Sequence, residues 1–145
     1  MSITVEIADR ATPELLAGLN HLLPQLSTSA PRLSEDDLRD LVSSDASTLF
    51  VALNEGVIVG TLTLVIFPIP TGLRAWIEDV VVDQRTRGLG AGAALTQAAL
   101  DEARRRNVRS IDLTSRPSRE AANALYRKLG FVQRSTNVYR FSVQD

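Results

Sequence analysis

Three glycines at alternate positions follow an apolar run and two arginines in the segment "VVVDQRTRGLGAGAAL", residues 80–95. Glycine lets the backbone approach a ligand closely because it has no Cβ. The alanine-rich sequence behind the glycines predicts a helix, whose first N–H groups lack internal partners and lie at the positive end of its dipole. The segment therefore predicts a site for an anion such as a phosphate.

Two common phosphate-binding patterns can be compared with this segment. The P-loop pattern GxxxxGK[ST] is excluded because the only lysine, Lys128, is far from the glycines. The dinucleotide pattern GxGxxG/A is satisfied by Gly88, Gly90 and Ala93, with Asp112 further along the chain. Asp112 falls in the middle of a predicted strand, however, and too little chain follows for a second nucleotide-binding half. The glycine pattern is therefore the only feature that supports the dinucleotide interpretation, which stays open.

Two motifs together point to a third kind of phosphate site. Arg85–Gly90 matches the pattern R/Q-x-x-G-x-G/A, and the later segment "NALYRKLGF", Asn123–Phe131, supplies an asparagine, a tyrosine and a closing Gly-Phe. These motifs resemble those of the GNAT superfamily of CoA-dependent N-acetyltransferases, and the resemblance extends over essentially the whole chain. It implies transfer of an acetyl group from acetyl-CoA to a primary amine by direct attack in a ternary complex, with no metal.

The resemblance also implies which residues bind acetyl-CoA. The backbone of the valine run would pair with the pantetheine arm, and the N–H groups of residues 87–93 would hold the pyrophosphate, with an arginine adding charge. An asparagine and a tyrosine of the later motif would complete the site. The expected binding residues are Val80, Val81, Val82, Arg85, Arg87, Gly88, Leu89, Gly90, Ala91, Gly92, Ala93, Asn123 and Tyr126.

Three residues are candidates for proton transfer. By resemblance, Tyr126 is the general acid that protonates the departing CoA thiolate. Glu78 is our first choice for the base that deprotonates the amine and Asp79 our second, acting directly or through a water. In a regular strand Glu78 shares a face with Val80 and Val82 while Asp79 lies on the other face, but a β-bulge would change this parity.

Composition narrows the chemistry further. The 145 residues contain no cysteine, which excludes disulfides and a cysteinyl acetyl-enzyme, so direct transfer is the simplest mechanism. The single histidine, His21, lies among apolar residues of a predicted helix, where we expect a packing or surface role. Residues 1–80 carry four basic and eleven acidic residues, whereas residues 81–145 carry twelve basic and six acidic ones.

The elements that must position these residues follow from hydrophobic periodicity, caps and turns. They predict one α/β (α+β) domain over residues 1–145, with a mixed, mostly antiparallel sheet, splayed central parallel strands and the order β-α-α-β-β-β-α-β-α-β-β. We expect a proline-rich loop at "PIPTGLRA", a strand at "WIEDVVVD", a helix over Gly88–Arg106, a strand over Val108–Ser115, a helix capped by Ser118 and ended by Gly130, and a closing hairpin of "FVQRS" and "VYRFSV".

The distribution of charge points to the class of acceptor. An acidic first half suits a cationic amine on a small molecule, peptide or protein. The resemblance implies that the acceptor binds near Leu22–Leu33 and Phe67–Trp76, where Arg74 would either pair with an acceptor carboxylate or phosphate or face solvent. Nucleic acid is not expected as a partner, because the isoelectric point is about 5.8.

The sequence also bears on the location of the protein, its oligomeric state and an alternative function. The sequence shows neither a signal peptide nor a membrane span, so we expect a cytoplasmic protein, with a homodimer as an open possibility. A non-catalytic acyl-CoA-binding regulatory module is the alternative function.

Overall fold

The computed structural model describes residues 2–144. Residues up to Thr114 form one compact unit and residues from Ser115 form a second. The predicted mixed α/β fold with a mostly antiparallel sheet is confirmed, and so is the element order as far as the fourth helix. The single domain over residues 1–145 stays a prediction, and Met1 and Asp145 lie outside the described residues.

The first unit is a five-stranded sheet with three α-helices. The strands lie side by side in chain order, and all neighbours are antiparallel except the last pair, which is parallel. The elements are β1 (Ile3–Ala8), α1 (Pro13–Leu26), α2 (Glu35–Ser43), β2 (Ser47–Asn54), β3 (Val57–Ile69), β4 (Gly72–Val82), α3 (Ala91–Arg105) and β5 (Ser110–Asp112). No helix in the described part of the chain has the length and apolar character needed to cross a bilayer.

Local sequence explains where α1 begins and which face it buries. Thr12 caps the helix through its hydroxyl, which accepts a hydrogen bond from Leu15 N–H at 3.1 Å, and Pro13 occupies the first helical position. Leu15 and Leu19 are four residues apart, so they share one face, and both pack into a core cluster with Leu49 of β2. This packing fixes α1 against one face of the sheet.

Helix α3 covers the opposite face at close range. A Cβ added to Gly60 of β3 would lie 3.1 Å from Leu95 Cδ1 and 3.2 Å from Val81 C=O, so a larger residue there would require these neighbours to shift by a few tenths of an ångström. Leu95 is fully buried. Its replacement by alanine would cost about 2–5 kcal/mol of stability. The start of α3, and with it the candidate anion site, is thereby anchored to the sheet.

The predicted proline-rich loop is wrong, because strands β3 and β4 continue through it. Strand β3 runs to Ile69 and β4 starts at Gly72, so the chain reverses within a tight turn. Gly72 adopts φ +135°, a conformation that only glycine takes readily. As a result Glu78 lies well inside β4, which begins four residues before the predicted strand at Trp76.

Strands β4 and β5 pair over only three residues each. Arg74–Trp76 pairs with Ser110–Asp112, and within the described chain the rest of β4, Ile77–Val82, has no strand beside it on this edge. The strand predicted over residues 108–115 is therefore much shorter, and the predicted splay is confirmed. The unpaired backbone edge of β4 can accept an extended peptide-like ligand.

A β-bulge interrupts the pairing of β4 with β3. Two residues of β4, Asp79 and Val80, face the single residue Leu62 of β3. Asp79 adopts φ +50°, a left-handed conformation in which aspartate is one of the few tolerated residues. The bulge changes the parity of the strand, so Glu78 and Val82 lie on opposite faces of the sheet, and their predicted common face is wrong.

The second unit contains α4 (Glu120–Lys128) and a long segment without secondary structure. The predicted Ser118 cap is wrong, because Arg119 occupies the N-cap and gives no side-chain hydrogen bond to the helix. Gly130 follows the helix at φ +103°, as its predicted place just past the helix end requires.

The predicted closing hairpin is not formed. Residues 131–144, named the C-terminal arm below, contain no strand. Alternating apolar residues give this segment the propensity for a strand, but a strand forms only where a partner supplies hydrogen bonds.

Candidate functional site

The loop between β4 and α3 has the shape that the glycine spacing requires. After a short 3₁₀ turn at Gln84–Thr86, Gly88 and Gly90 adopt φ +91° and +86°. These left-handed conformations end any continuous helix, so α3 begins at Ala91 and its predicted start at Gly88 is wrong. A Cβ added to Gly90 would meet no atom within 4 Å, so the space beside this backbone is open.

Seven consecutive N–H groups of this loop and helix start donate to no group in residues 2–144. Thr86 N–H donates to Asp83 C=O at 2.9 Å, and the next backbone hydrogen bond is that of Ala94 N–H to Gly90 C=O at 3.0 Å. The N–H groups between them belong to residues 87–93. Free N–H groups at a helix N-terminus, with glycines between them, bind the oxygens of phosphate groups. The residues present therefore fit the pyrophosphate of CoA.

Helix α1 holds the start of this loop in place. Gln25 accepts a hydrogen bond through Oε1 from Gln84 N–H at 3.0 Å, and His21 Nε2 lies 3.0 Å from Asp83 Oδ2. His21 and Gln25 are four residues apart and therefore share one face of α1. The expectation that His21 only packs or faces solvent missed this contact. The four-residue spacing between His21 and Gln25 was the sequence signal that could have predicted this contact.

Asp83 is the buried anchor of the loop. Its carboxylate accepts a hydrogen bond from Arg85 N–H at 3.1 Å, and its own N–H donates to Val59 C=O at 2.8 Å. The hydrogen bond from Arg85 N–H holds the pKa of Asp83 below its usual value, and the contact with His21 acts in the same direction against the opposing effect of burial. Asp83 is therefore ionised at neutral pH.

The two arginines of the loop differ in what they contact. Arg85 places Nε 3.7 Å from Asp83 Oδ1 and Nη2 3.2 Å from His21 Nε2. A single histidine nitrogen cannot both donate to Asp83 and accept from Arg85, so these two contacts are alternatives set by the tautomer. Arg87 is exposed and has no hydrogen bond or ion pair within residues 2–144. Arg87 is thus the arginine free to meet an anion.

The two candidate bases lie at the bulge. Glu78 and Asp79 are both exposed, and neither forms an ion pair within the described chain. By contrast, Arg74 and Asp112 on the neighbouring strands pair with each other at 3.3 Å and largely neutralise one another. The exposed surface beside the bulge therefore keeps two uncompensated negative charges.

Tyr126 in the second unit is buried and has no hydrogen-bond partner within it. Its ring packs edge-on against Phe131, with centroids 5.7 Å apart and planes at 64°, and its exposed fraction is 9%. Its hydroxyl makes no hydrogen bond within residues 2–144. Burial raises the pKa of the Tyr126 phenol, while the positive charge of Arg119 acts in the opposite direction. The hydroxyl therefore stays protonated at neutral pH and is able to donate.

Asn123 lies on α4 one turn before Tyr126. Its side-chain nitrogen, Nδ2, donates to Arg116 C=O at 2.9 Å and so helps to fix the turn before the helix. Its amide oxygen remains able to accept a hydrogen bond. The structure thus gives Asn123 a local structural role beside the binding role expected from the sequence.

The structure brings most of the predicted site residues together in one stretch of the first unit. The bulge, the open edge of β4, the loop and the start of α3 follow one another without a break between Glu78 and Ala93. Asn123 and Tyr126 lie in the second unit, where they occupy successive turns of α4.

A cavity of about 110 Å³ lies at the end of α1, in the region expected for the acceptor. Asn20 holds the chain that follows α1, because its side chain bonds both the N–H of Leu33 at 2.9 Å and the C=O of Leu33 at 3.0 Å. The cavity is lined by Asn20, Leu23, Pro24, Ala30, Pro31 and Arg32.

Comparisons with known proteins agree with this geometry. Residues 15–131 match the model of the "Acetyltransferase (GNAT) family". A putative acetyltransferase from Agrobacterium tumefaciens is 29% identical with a TM-score of 0.84, covering 96% of this chain and 99% of that one. A transcriptional regulator from Bacillus halodurans is 27% identical with a TM-score of 0.82, covering 97% and 99%. An aminoglycoside acetyltransferase from an uncultured soil metagenomic sample is 25% identical with a TM-score of 0.83, covering 99% and 100%. No curated protein sequence matches the chain.

Proposed function

The chain belongs to the GNAT family of acetyltransferases, and we propose that it transfers an acetyl group from acetyl-CoA to a primary amine by direct attack in a ternary complex. The observation that carries the proposal is the set of free N–H groups at residues 87–93, at the end of a strand whose outer edge is also free. A pyrophosphate fits these N–H groups, and a pantetheine arm fits the free edge of β4.

The donor is bound mainly by backbone. The N–H groups of residues 87–93 hold the pyrophosphate, and the backbone of Val80–Val82 pairs with the pantetheine arm. Arg87 supplies charge to the phosphates, whereas Arg85 chiefly braces the loop through Asp83. Asn123 accepts a hydrogen bond from the pantetheine arm through its amide oxygen.

The base is drawn from the bulge. Glu78 is our first choice to remove a proton from the ammonium group of the acceptor, directly or through a water, and Asp79 is the second. Both carboxylates are exposed and free of ion pairs in the described chain, so either can receive a proton. Deprotonation gives the amine the lone pair that it needs to attack the thioester carbonyl.

Tyr126 acts as the general acid. As the new C–N bond forms and the C–S bond breaks, the Tyr126 hydroxyl gives its proton to the departing sulfur. A raised pKa keeps this proton in place until the sulfur leaves. Strand N–H groups stabilise the negative charge that develops on the carbonyl oxygen. No step needs a cysteine or a metal.

The acceptor is a cationic amine on a small molecule, a peptide or a protein. The uncompensated charges of Glu78 and Asp79, and the excess of acidic residues before Val81, attract positive charge. The similar aminoglycoside acetyltransferase is named for acceptors of this class. The segments Leu22–Leu33 and Phe67–Trp76 surround the acceptor. The reaction takes place in the cytoplasm and involves no nucleic acid.

Acetyl-CoA binding and turnover test the proposal together. Millimolar acetyl-CoA should raise the Tm of the protein, since a ligand that binds only the folded state stabilises it. A panel of amines should then release free thiol, with polycationic amines best. Stabilisation without release of thiol from any amine would favour the alternative, a non-catalytic acyl-CoA-binding regulatory module. Absence of stabilisation would contradict both.

Tyr126→Phe tests the general acid. We expect kcat to fall by about 100-fold or more with little change in acetyl-CoA affinity, because only the proton donor is lost. Tyr139→Phe is the matched control: it removes the only other tyrosine hydroxyl, from a side chain that is 87% exposed, and should leave kcat unchanged. Equal kcat values for the two variants would reduce Tyr126 to a packing residue.

A further inference from the structure

A cluster of three titratable side chains lies between α1 and the start of the anion-binding loop. His21 Nε2 is 3.0 Å from Asp83 Oδ2 and 3.2 Å from Arg85 Nη2. Arg85 Nε is in turn 3.7 Å from Asp83 Oδ1. Each side chain thus contacts the other two, so a change in the charge of one alters the contacts of both partners.

The members of this cluster differ in how freely they can move. The Asp83 side chain is only 8% exposed, and the backbone of Asp83 bonds both Val59 and Thr86. The Arg85 side chain is 77% exposed, and its only partners in residues 2–144 are Asp83 and His21. The hydrogen bond from Arg85 N–H to Asp83 does not involve the guanidinium. Loss of the side-chain contacts would therefore release the guanidinium and leave the loop in place.

The protonation state of His21 decides which of these contacts can coexist. In neutral imidazole one ring nitrogen can accept a hydrogen bond, as Arg85 requires, whereas in imidazolium both nitrogens are donors. A protonated His21 therefore donates to the ionised Asp83, can accept nothing from Arg85 and repels its charge. Histidine is the side chain that normally changes charge between pH 5 and 8, and His21 is the only histidine in the sequence.

Other charged groups near α1 do not compete for His21. Helix α1 packs against β3 and β4, and its core cluster also includes residues of α2, β2 and the end of β1. Strands β2 and β3 carry no charged residue. The charged residues of the remaining elements, of the chain after α1 and of the loop form no hydrogen bond or ion pair with His21 within residues 2–144: Glu6, Glu14, Arg32, Glu35, Asp36, Asp37, Arg39, Asp40, Arg74, Glu78, Asp79 and Arg87.

We propose that His21 is a positioning residue whose protonation determines whether Arg85 braces the loop or binds the phosphates of acetyl-CoA. The proposal rests on the acetyl-CoA site proposed above. Arg85 lies two residues before the first free N–H group of the loop, so a released guanidinium can meet the same anion as Arg87. CoA should therefore bind more tightly as the pH falls and His21 gains its proton. Binding should in turn favour the protonated form of His21, because such coupling is reciprocal.

The affinity for CoA at pH 8 and pH 5.5 tests the proposal with two variants that do not titrate in this range. Glutamine at position 21 can both donate to Asp83 and accept from Arg85, whereas lysine is charged and cannot accept. His21→Lys should therefore bind CoA about tenfold more tightly than His21→Gln at both pH values, which corresponds to one charge-assisted contact. The wild type should resemble His21→Gln at pH 8 and His21→Lys at pH 5.5.

Titration calorimetry gives the Kd of each variant, and the ratio to His21→Gln is the quantity compared. A ratio is needed because a phosphate monoester such as that of CoA itself takes up a proton at roughly pH 6. Glu14→Gln is the matched control, since it removes a charge from the same helix at an exposed residue without a partner in residues 2–144. It should keep the pH profile of the wild type.

A background of Arg85→Ala separates release of Arg85 from a direct effect of His21 on the phosphates. In this background His21→Gln should no longer change the pH dependence, because no guanidinium is left to release. A wild-type ratio that is constant between pH 8 and pH 5.5, or one that changes equally with and without Arg85, would overturn the proposal and leave the acetyl-CoA site intact. Failure of the wild type and every variant to bind CoA would contradict both this proposal and the proposed function.

Discussion

The loop between β4 and α3 and the C-terminal arm both leave groups without partners, but the groups are of opposite kinds. In the loop the free groups are backbone N–H donors, while Asp83, His21 and Gln25 brace the segment around them. In the arm the free groups are apolar side chains on an unbraced backbone. Fixed polar donors suit a small anion, whereas apolar side chains at strand spacing suit a protein surface. The kind of group left without a partner thus distinguishes the anion site from the apolar arm.

The largest expected effect comes from placing a charge in the loop. Gly90→Asp should weaken CoA binding by more than about 100-fold, because the carboxylate repels the pyrophosphate and its side chain fills the space beside the N–H groups. Titration calorimetry with CoA measures this change.

Gly56→Asp is the matched control for that variant. Gly56 has φ +81°, close to the +86° of Gly90, and an added Cβ meets nothing within 4 Å at either position. Both variants should lose about 1 kcal/mol of stability to backbone strain, but only Gly90→Asp should lose CoA binding. Similar CoA affinities for the two would show that the pyrophosphate binds elsewhere.

Replacing either of the two loop arginines should weaken CoA binding less than Gly90→Asp, and to different extents. Arg87→Ala should weaken CoA binding by about tenfold, which corresponds to one charge-assisted contact. Arg85→Ala should change it less, because the Arg85 side chain contacts Asp83 and His21 in the free protein. Titrations at low and high salt check the assignment, since only the Arg87 contribution should fade strongly with salt. The opposite ranking would transfer the phosphate contact to Arg85.

The smallest effect concerns the anchor of the loop. Asp83 has a lowered pKa in the folded state, so its charge stabilises the protein above the unfolded value of 3.8 and stops doing so as pH falls through the folded pKa. Asp83→Asn should therefore lower the Tm at pH 7 by about 2–4 °C, with a difference that shrinks below pH 4. A difference in Tm that is constant down to pH 2 would show that the charge of Asp83 is unimportant.

Local chemistry could be predicted from the sequence, and long-range register could not. The glycine spacing predicted the loop, and Thr12 with Pro13 predicted the start of α1, because these signals act within a few residues. The bulge at Asp79 and the contact of His21 with Asp83 depend on which distant residues meet. The arm shows the same limit: its alternating apolar residues predicted a closing hairpin that is not formed in residues 131–144, because a strand needs a paired edge that sequence alone does not assign.

The backbone of Asp79 has one further consequence. A residue at φ +50° is most often glycine, asparagine, aspartate or histidine, although Glu55 also adopts φ +52° in this chain. Aspartate is the acid most enriched in this conformation, so it lets the chain keep the bulge and carry a carboxylate there at little conformational cost. Conversely, asparagine is the one replacement that removes the charge while preserving both the size of the side chain and the course of the strand. At this position the shape of the backbone and the charge of the surface can therefore be varied independently.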